Sequence, residues 1–196
     1  FIEMAVDGNE QHKKWVMIVN INPGFVYGGS GTMYFVGDFD GHRFVCDTEP
    51  SEVKWLDWGK DHYATFATQL ANANLTPTQQ FRSCNALARE LKLYTAPNGK
   101  LLVSAAPVAE LKALRKDSLE IGQISLGEKT VRQLPEKAEN GTFELEFTLH
   151  PEKATTCGVK LLNDKGEMVN IYYDAKQQRI VMDRAQSGIM ILLDSR

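Results

Sequence analysis

The sequence predicts an all-β fold. Short runs rich in β-branched and aromatic residues recur, and Gly, Pro, Asn or Asp punctuates them. Asp40-Gly41 stands between the apolar runs 33–39 and 42–46, which is the pattern of a tight hairpin. Residues 142–149 alternate strictly and place Phe143, Leu145, Phe147 and Leu149 on one face.

Each element follows from local chemistry. Residues 15–22 form a β-rich run that Pro23-Gly24 stops. Gly28-Gly29-Ser30-Gly31 is a flexible approach to the strand at 33–39. The stretch 55–68 is rich in aromatics, with Trp55, Trp58, Tyr63 and Phe66. Residues 69–83 are polar and read as loop, whereas 87–94 fits strand or helix equally. Ala96-Pro97-Asn98-Gly99 is a turn and the best candidate domain boundary, dividing the chain into 1–95 and 96–196. Val108, Leu111 and Leu114 recur at helical spacing and predict a short helix over 108–116. Strands then resume at 142–149, 158–162, 168–173 and 178–183, a second meander with Asn163-Asp164-Lys165-Gly166 as one of its turns. Strands at this spacing suit propeller blades, a sandwich or a barrel in the first half. Two packed antiparallel sheets, a β-sandwich, would bury the alternating faces of the second.

Composition narrows the function. The 196 residues are 43% hydrophobic and carry a net charge of -3. That balance offers no long-range attraction for nucleic acid or an anionic membrane surface. No apolar stretch approaches the roughly 20 residues of a membrane span. Cys46, Cys84 and Cys157 are far apart and show no metal-ligand spacing, so they read as small semi-buried thiols and no metal or cofactor is expected. The chain opens at Phe1-Ile2-Glu3-Met4 inside an apolar–polar pattern, with no leader visible.

No catalytic constellation is forced by the residues alone. There is no GxSxG, P-loop, GxGxxG after a strand, or HExxH. His62, beside Asp61 and Tyr63, is the one histidine in an aromatic and acidic setting. A partly exposed strand histidine is its default reading, with a general base as the rival. Trp55 and Trp58 suit stacking on sugar rings, but alternating aromatics on a strand more often belong to a core. Asp57 and Asp61, four apart on a strand, would share a face with Cα atoms ~13 Å apart, too far to act as one pair of acids. Glu90 and Asp183-Arg184 read as structural.

Five segments carry a resemblance. They are Gly28-Gly29-Ser30-Gly31-Thr32-Met33-Tyr34-Phe35-Val36-Gly37-Asp38-Phe39-Asp40-Gly41, Trp55-Leu56-Asp57-Trp58-Gly59-Lys60-Asp61-His62-Tyr63-Ala64, the run from Arg82 to Leu93 with Arg89-Glu90-Leu91, Ala106-Pro107-Val108-Ala109-Glu110-Leu111, and Asp183-Arg184-Ala185-Gln186-Ser187-Gly188. They resemble, in the same order, the GGSGTQYFVGDFDG, LDYGKDFYA, PREL, PVxEL and DRxxSG blocks of glycoside hydrolase family 32, with Ala88 where the family usually has Pro. The resemblance implies the last blades of a five-bladed β-propeller followed by a β-sandwich. It implies retaining hydrolysis of β-fructosidic bonds in sucrose or fructans, and a fructan or sucrose-type carbohydrate as the partner. Ser30, Thr32, Asp61 and Tyr63 are then the substrate-binding candidates.

The same resemblance exposes what is missing. Retaining chemistry needs two carboxyls about 5–5.5 Å apart. The family places its nucleophile in WMNDPNG, a supporting Asp in RDP and its acid/base Glu in ECP, and none of these motifs occurs here. No catalytic residue is therefore assigned. Phe1-Ile2-Glu3-Met4 resembles the stretch just after ECPD in the family, the GWMSNW-like strand after Thr65 is absent, and 189–196 departs from the family pattern. The expectation is a truncated chain, a fragment or a degraded paralogue, inactive alone. A non-catalytic carbohydrate-binding or assembly module is the alternative, and an incomplete propeller would expose strand edges that favour self-association. The residues leave the compartment open, and the resemblance inclines it toward secreted or periplasmic.

Overall fold

The computed structural model describes residues 1–59, 62, 86–125 and 142–188. The chain divides into two compact units, the first built on Phe1–Ser118 and the second on Leu119–Met190.

The first unit is a seven-stranded sheet. β1 (Ile2–Val6), β2 (Asn9–Ile21), β3 (Gly31–Phe39) and β4 (Phe44–Cys46) form an antiparallel meander. β5 (Lys54–Trp55) pairs with the first half of β3, through Met33 and Tyr34, where β4 does not reach. β6 (Arg89–Thr95) and β7 (Leu101–Pro107) form a hairpin, and Val6 meets Leu93 in a parallel bridge between β1 and β6. The turn at Ala96–Gly99 closes this hairpin: Ala96 N donates to Lys100 O, and Gly99 N donates to Ala96 O. β2 starts six residues before the apolar run that predicts it, because ladder bonds to β1 carry the polar stretch from Asn9 to Lys14.

The meander and the hairpin enclose one core. Val6, Val16, Tyr34, Val36 and Leu93 are buried, with Met4, Ile18, Leu101 and Val103 packed around them. Each such side chain contributes about 1.5–3 kcal/mol by leaving water. Two polar links tie β3 and β5 to β7. Val103 N donates to Tyr34 Oη at 3.1 Å, and Lys54 Nζ donates to Leu101 O at 3.1 Å. Burial pushes the Tyr34 hydroxyl up from its ordinary pKa, opposed by the Val103 amide.

Gly37 is required at its position. A Cβ there would lie 2.1 Å from Val45 O across the β3–β4 pair. The helix expected over 108–116 is a 3-10 helix, Ala109–Leu114, with no buried residue. Leu114 is 74% exposed, so helical spacing gave a turn but no packed face.

The second unit contains a three-stranded antiparallel sheet of β8 (Thr156–Leu162), β9 (Met168–Asp174) and β10 (Arg179–Gln186). Its register places Val159, Ile171 and Met182 in one row and Lys160, Asn170 and Asp183 in the next, on opposite faces. Residues 142–149 belong to no strand among the described residues, despite their alternation. Phe143, Leu145 and Phe147 are 40%, 44% and 42% exposed, so the expected stripe has no packed face there. Alternation marks a face that can be buried; it supplies no ladder partner.

Candidate functional site

The β2–β3 register pairs Asn20 with Thr32 and Ile21 with Gly31. Paired residues project to the same face, so the two polar side chains meet: Thr32 Oγ1 donates to Asn20 Oδ1 at 2.6 Å. His62 Nδ1 lies 2.7 Å from the same hydroxyl. The single hydroxyl proton goes to Asn20, so the Thr32 oxygen accepts from His62 Nδ1–H. Thr32 is fully buried, and its carbonyl also accepts from Leu56 N at 2.8 Å. Hydroxyl, amide and imidazole thus form one connected cluster at the end of the meander. His62 lies in no strand, contrary to its default reading, and a side-chain partner fixes its ring.

The 22–30 loop runs from β2 to β3 beside that cluster. Gly24 N donates to Gly29 O and Gly28 N donates to Phe25 O, which folds it tightly. Gly28 and Gly29 have φ of 85° and 76°, the left-handed region that favours glycine. Folding the loop buries Phe25, whose ring stands edge-on to Trp55 at 4.8 Å. Both rings press on Gly31, where a Cβ would come within 2.9 Å of each. Ser30, half-buried, sits between Gly29 and this contact.

Trp58 is not core, as the alternation of aromatics had suggested. It is 63% exposed. β5 lasts two residues, and the chain then bends because Asp57 Oδ1 accepts from Gly59 N at 2.6 Å. That bend turns Trp58 outward beside Tyr27, with the ring centres 6.5 Å apart. It also takes residues 57–59 out of the strand on which the Asp57–Asp61 spacing was reckoned, and Asp61 lies outside the described residues. Asp57 instead pairs with Arg89 of β6 at 2.5 Å.

Ser30 and Thr32 therefore share one corner of the fold, while Asp61 and Tyr63 lie outside the described residues. Sequence reasoning missed Asn20, Phe25 and Tyr27. Asn20 was legible only as a polar residue late in an apolar strand, and the two aromatics only as rings within a turn-rich stretch. Carboxylates that do come together gather around an ammonium: Asp38 and Asp47 on Lys14, Glu3 and Glu10 on Lys13. The hydrogen bond from Lys14 to Asp38 raises the lysine above its ordinary pKa. Among the described residues no three His, Cys, Asp or Glu side chains gather as metal ligands would.

The model of the N-terminal domain of glycosyl hydrolases family 32 matches residues 1–105, and the model of the C-terminal part of that family matches residues 110–194. The chain belongs to glycosyl hydrolase family 32. Family 32 relatives include a levanase of Bacillus subtilis (strain 168), 33% identical over 95% of this chain and 30% of the levanase. An extracellular exo-inulinase of Meyerozyma guilliermondii is 28% identical over 95% of this chain and 40% of that protein. The chain thus spans well under half the length of these family 32 relatives.

Solved structures of the family agree on architecture. An exo-inulinase from Aspergillus awamori superposes with a TM-score of 0.67 at 24% identity, covering 95% of this chain and 40% of that one. A fructofuranosidase from Schwanniomyces occidentalis complexed with fructose gives 0.59 at 25% identity, covering 96% and 42%. The fold expected from sequence holds: this family 32 chain is all-β, with propeller blades followed by a β-sandwich.

Proposed function

We propose that these residues are part of a retaining enzyme that cleaves β-fructosidic bonds of fructans or sucrose, and that they shape its sugar pocket without supplying its acids. The observation that carries this is the sequence itself: family 32 blocks run in order along the chain, yet none of the three acid-bearing motifs is among them. Two steps of the chemistry need those acids. One carboxylate must attack the anomeric carbon, and one carboxyl must protonate the leaving oxygen and later deprotonate water. Among the described carboxylates, Asp57 pairs with Arg89, and Asp38 and Asp47 pair with Lys14.

In this reading Ser30, Asp61 and Tyr63 touch the sugar. Thr32, enclosed between Asn20 and His62, holds that corner in shape. Intact-mass spectrometry after incubation with a fructosyl fluoride that carries a second fluorine next to the anomeric carbon, which slows hydrolysis of the covalent intermediate, tests the proposal. A retaining enzyme would trap a fructosyl group on its nucleophile. The chain is expected to keep its mass, and a gain of one fructosyl unit would overturn the proposal.

One observation favours a second reading, a non-catalytic carbohydrate-binding module. A shallow groove of about 260 Å³ lies on the second sheet, lined by Lys160, Met168, Asn170, Asp183, Ala185 and Gln186. Its donors and acceptors suit sugar hydroxyls. Retention of the chain on a fructan column, lost in Asn170→Ala, would support it.

A further inference from the structure

Three turns among the described residues set an Asp or Asn directly before a glycine: Asp7-Gly8, Asp40-Gly41 and Asn98-Gly99. A glycine has no Cβ to screen its nitrogen, so that nitrogen can reach the carbonyl carbon of the side chain before it. Attack there closes a cyclic imide, provided that the carbon carries a group able to leave. Asp7 and Asp40 supply none. Hydrogen bonds from Thr95 Oγ1 and N hold the Asp7 carboxyl below its usual range, and those from Arg43 N and His42 N do the same for Asp40. Both are ionised near neutral pH, and a carboxylate oxygen does not depart.

Asn98 differs in chemistry and in setting. Its amide is uncharged and can release ammonia. Asn98, Gly99 and Lys100 are all exposed, and a Cβ at Gly99 would meet nothing within 4 Å. Asn98 Oδ1 accepts from Lys100 N at 3.1 Å. That bond folds the side chain back across the intervening Gly99 nitrogen, so nucleophile and amide carbon are held on one short loop. It also aims an N–H at the oxygen that gains charge when the carbon is attacked. Gly99 N donates to Ala96 O at 2.8 Å, and this bond must open first. It lies in an exposed turn, where water can take its place.

We propose that Asn98 is a site of spontaneous deamidation, a covalent modification that marks the age of the chain. The Gly99 nitrogen bonds to Asn98 Cγ, the Cγ–Nδ2 bond breaks, and Nδ2 departs as ammonia with the proton that Gly99 gives up. Water then opens the imide at either of its carbonyls and leaves aspartate or isoaspartate. Each product adds a negative charge to a chain whose net charge is -3. Isoaspartate also routes the main chain through an extra carbon in the turn that closes β6–β7, whose Leu93 and Val103 help to form the core. That product loosens the hairpin as well as charging it.

Incubation of the whole chain at neutral and at mildly alkaline pH tests the proposal, read by ion exchange and by peptide mapping with mass spectrometry. A more acidic form is expected to accumulate, at a rate that rises with hydroxide because the Gly99 nitrogen must shed its proton. The peptide that holds Asn98-Gly99 should contain both aspartate and isoaspartate. Asn98→Gln would have to close a larger ring and should leave that peptide unchanged over the same time. An unaltered Asn98 peptide in the parent chain would overturn the proposal. Aspartate without isoaspartate would overturn the imide route, and equal conversion of the glutamine variant would do the same.

Discussion

Thr32 Oγ1 lies 2.7 Å from His62 Nδ1 and so joins two residues thirty positions apart. The contact has a direction: the hydroxyl proton goes to Asn20 Oδ1, and the imidazole donates to the hydroxyl oxygen. One buried hydroxyl therefore fixes the end of β2, the start of β3 and the position of His62.

Thr32→Val keeps the shape of the side chain but removes the hydroxyl that donates to Asn20 Oδ1 and accepts from His62 Nδ1–H. Each such hydrogen bond contributes about 0.5–1.5 kcal/mol, so the loss of two costs about 1–3 kcal/mol. Denaturant unfolding should show a loss of that size for Thr32→Val and a smaller loss for Thr32→Ser, which retains the hydroxyl.

Arg89 and Asp57 form an ion pair whose side chains are 32% and 16% exposed, linking β6 to the bend after β5. Partial shielding places it above a fully exposed pair. A double-mutant cycle of Arg89→Ala and Asp57→Ala should give a coupling of about 1 kcal/mol. The bend also holds Trp58, so Asp57→Ala should red-shift tryptophan emission further.

Gly37→Ala would force a Cβ against Val45 O, and the β3–β4 pair must open to admit it. A loss of about 1–3 kcal/mol is expected from such overpacking. Gly99 has φ of 79°, and a Cβ at that position would meet nothing within 4 Å, so Gly99→Asn should stay within about 1 kcal/mol of the parent. Thermal melts of the two variants should differ accordingly.

The strands and their turns were legible because period-two patterning and Asp-Gly or Asn-Gly signals are local. The 33–46 hairpin and the 156–186 meander lie where those signals put them. Three features were not legible. β7 reads Leu-Leu-Val-Ser-Ala-Ala-Pro, too small and mixed to announce a strand, and its pairing with β6 defines it. The stripe at 142–149 has strand patterning with no ladder among the described residues. The exposure of Trp58 depends on a bend set by one carboxylate, which aromatic spacing does not encode. At the candidate corner, the glycine-rich block singled out Ser30 and Thr32 as proposed site residues, whereas Asn20 needed the cross-strand register.

Acid should weaken the tie between β1 and β6. Asp7 accepts from Thr95 Oγ1 at 2.7 Å and from Thr95 N at 2.9 Å, and these bonds, the hydroxyl's first, hold its carboxyl below the usual range. A folded-state pKa below the unfolded one stabilises the fold above the unfolded value, about 3.9, and that contribution fades as pH falls through the folded value. The stability difference between the parent and Asp7→Asn should be present at pH 7 and shrink below pH ~4. A difference that grew on acidification would contradict this account.

The most direct test of the central claim is release of free fructose from sucrose, inulin and levan by the purified chain. Breaking these bonds with retention takes a nucleophile and a proton donor held together, and the motifs that carry them are not in this sequence. The chain is expected to release no more fructose than buffer does. Sustained release that scales with the amount of chain would contradict the account.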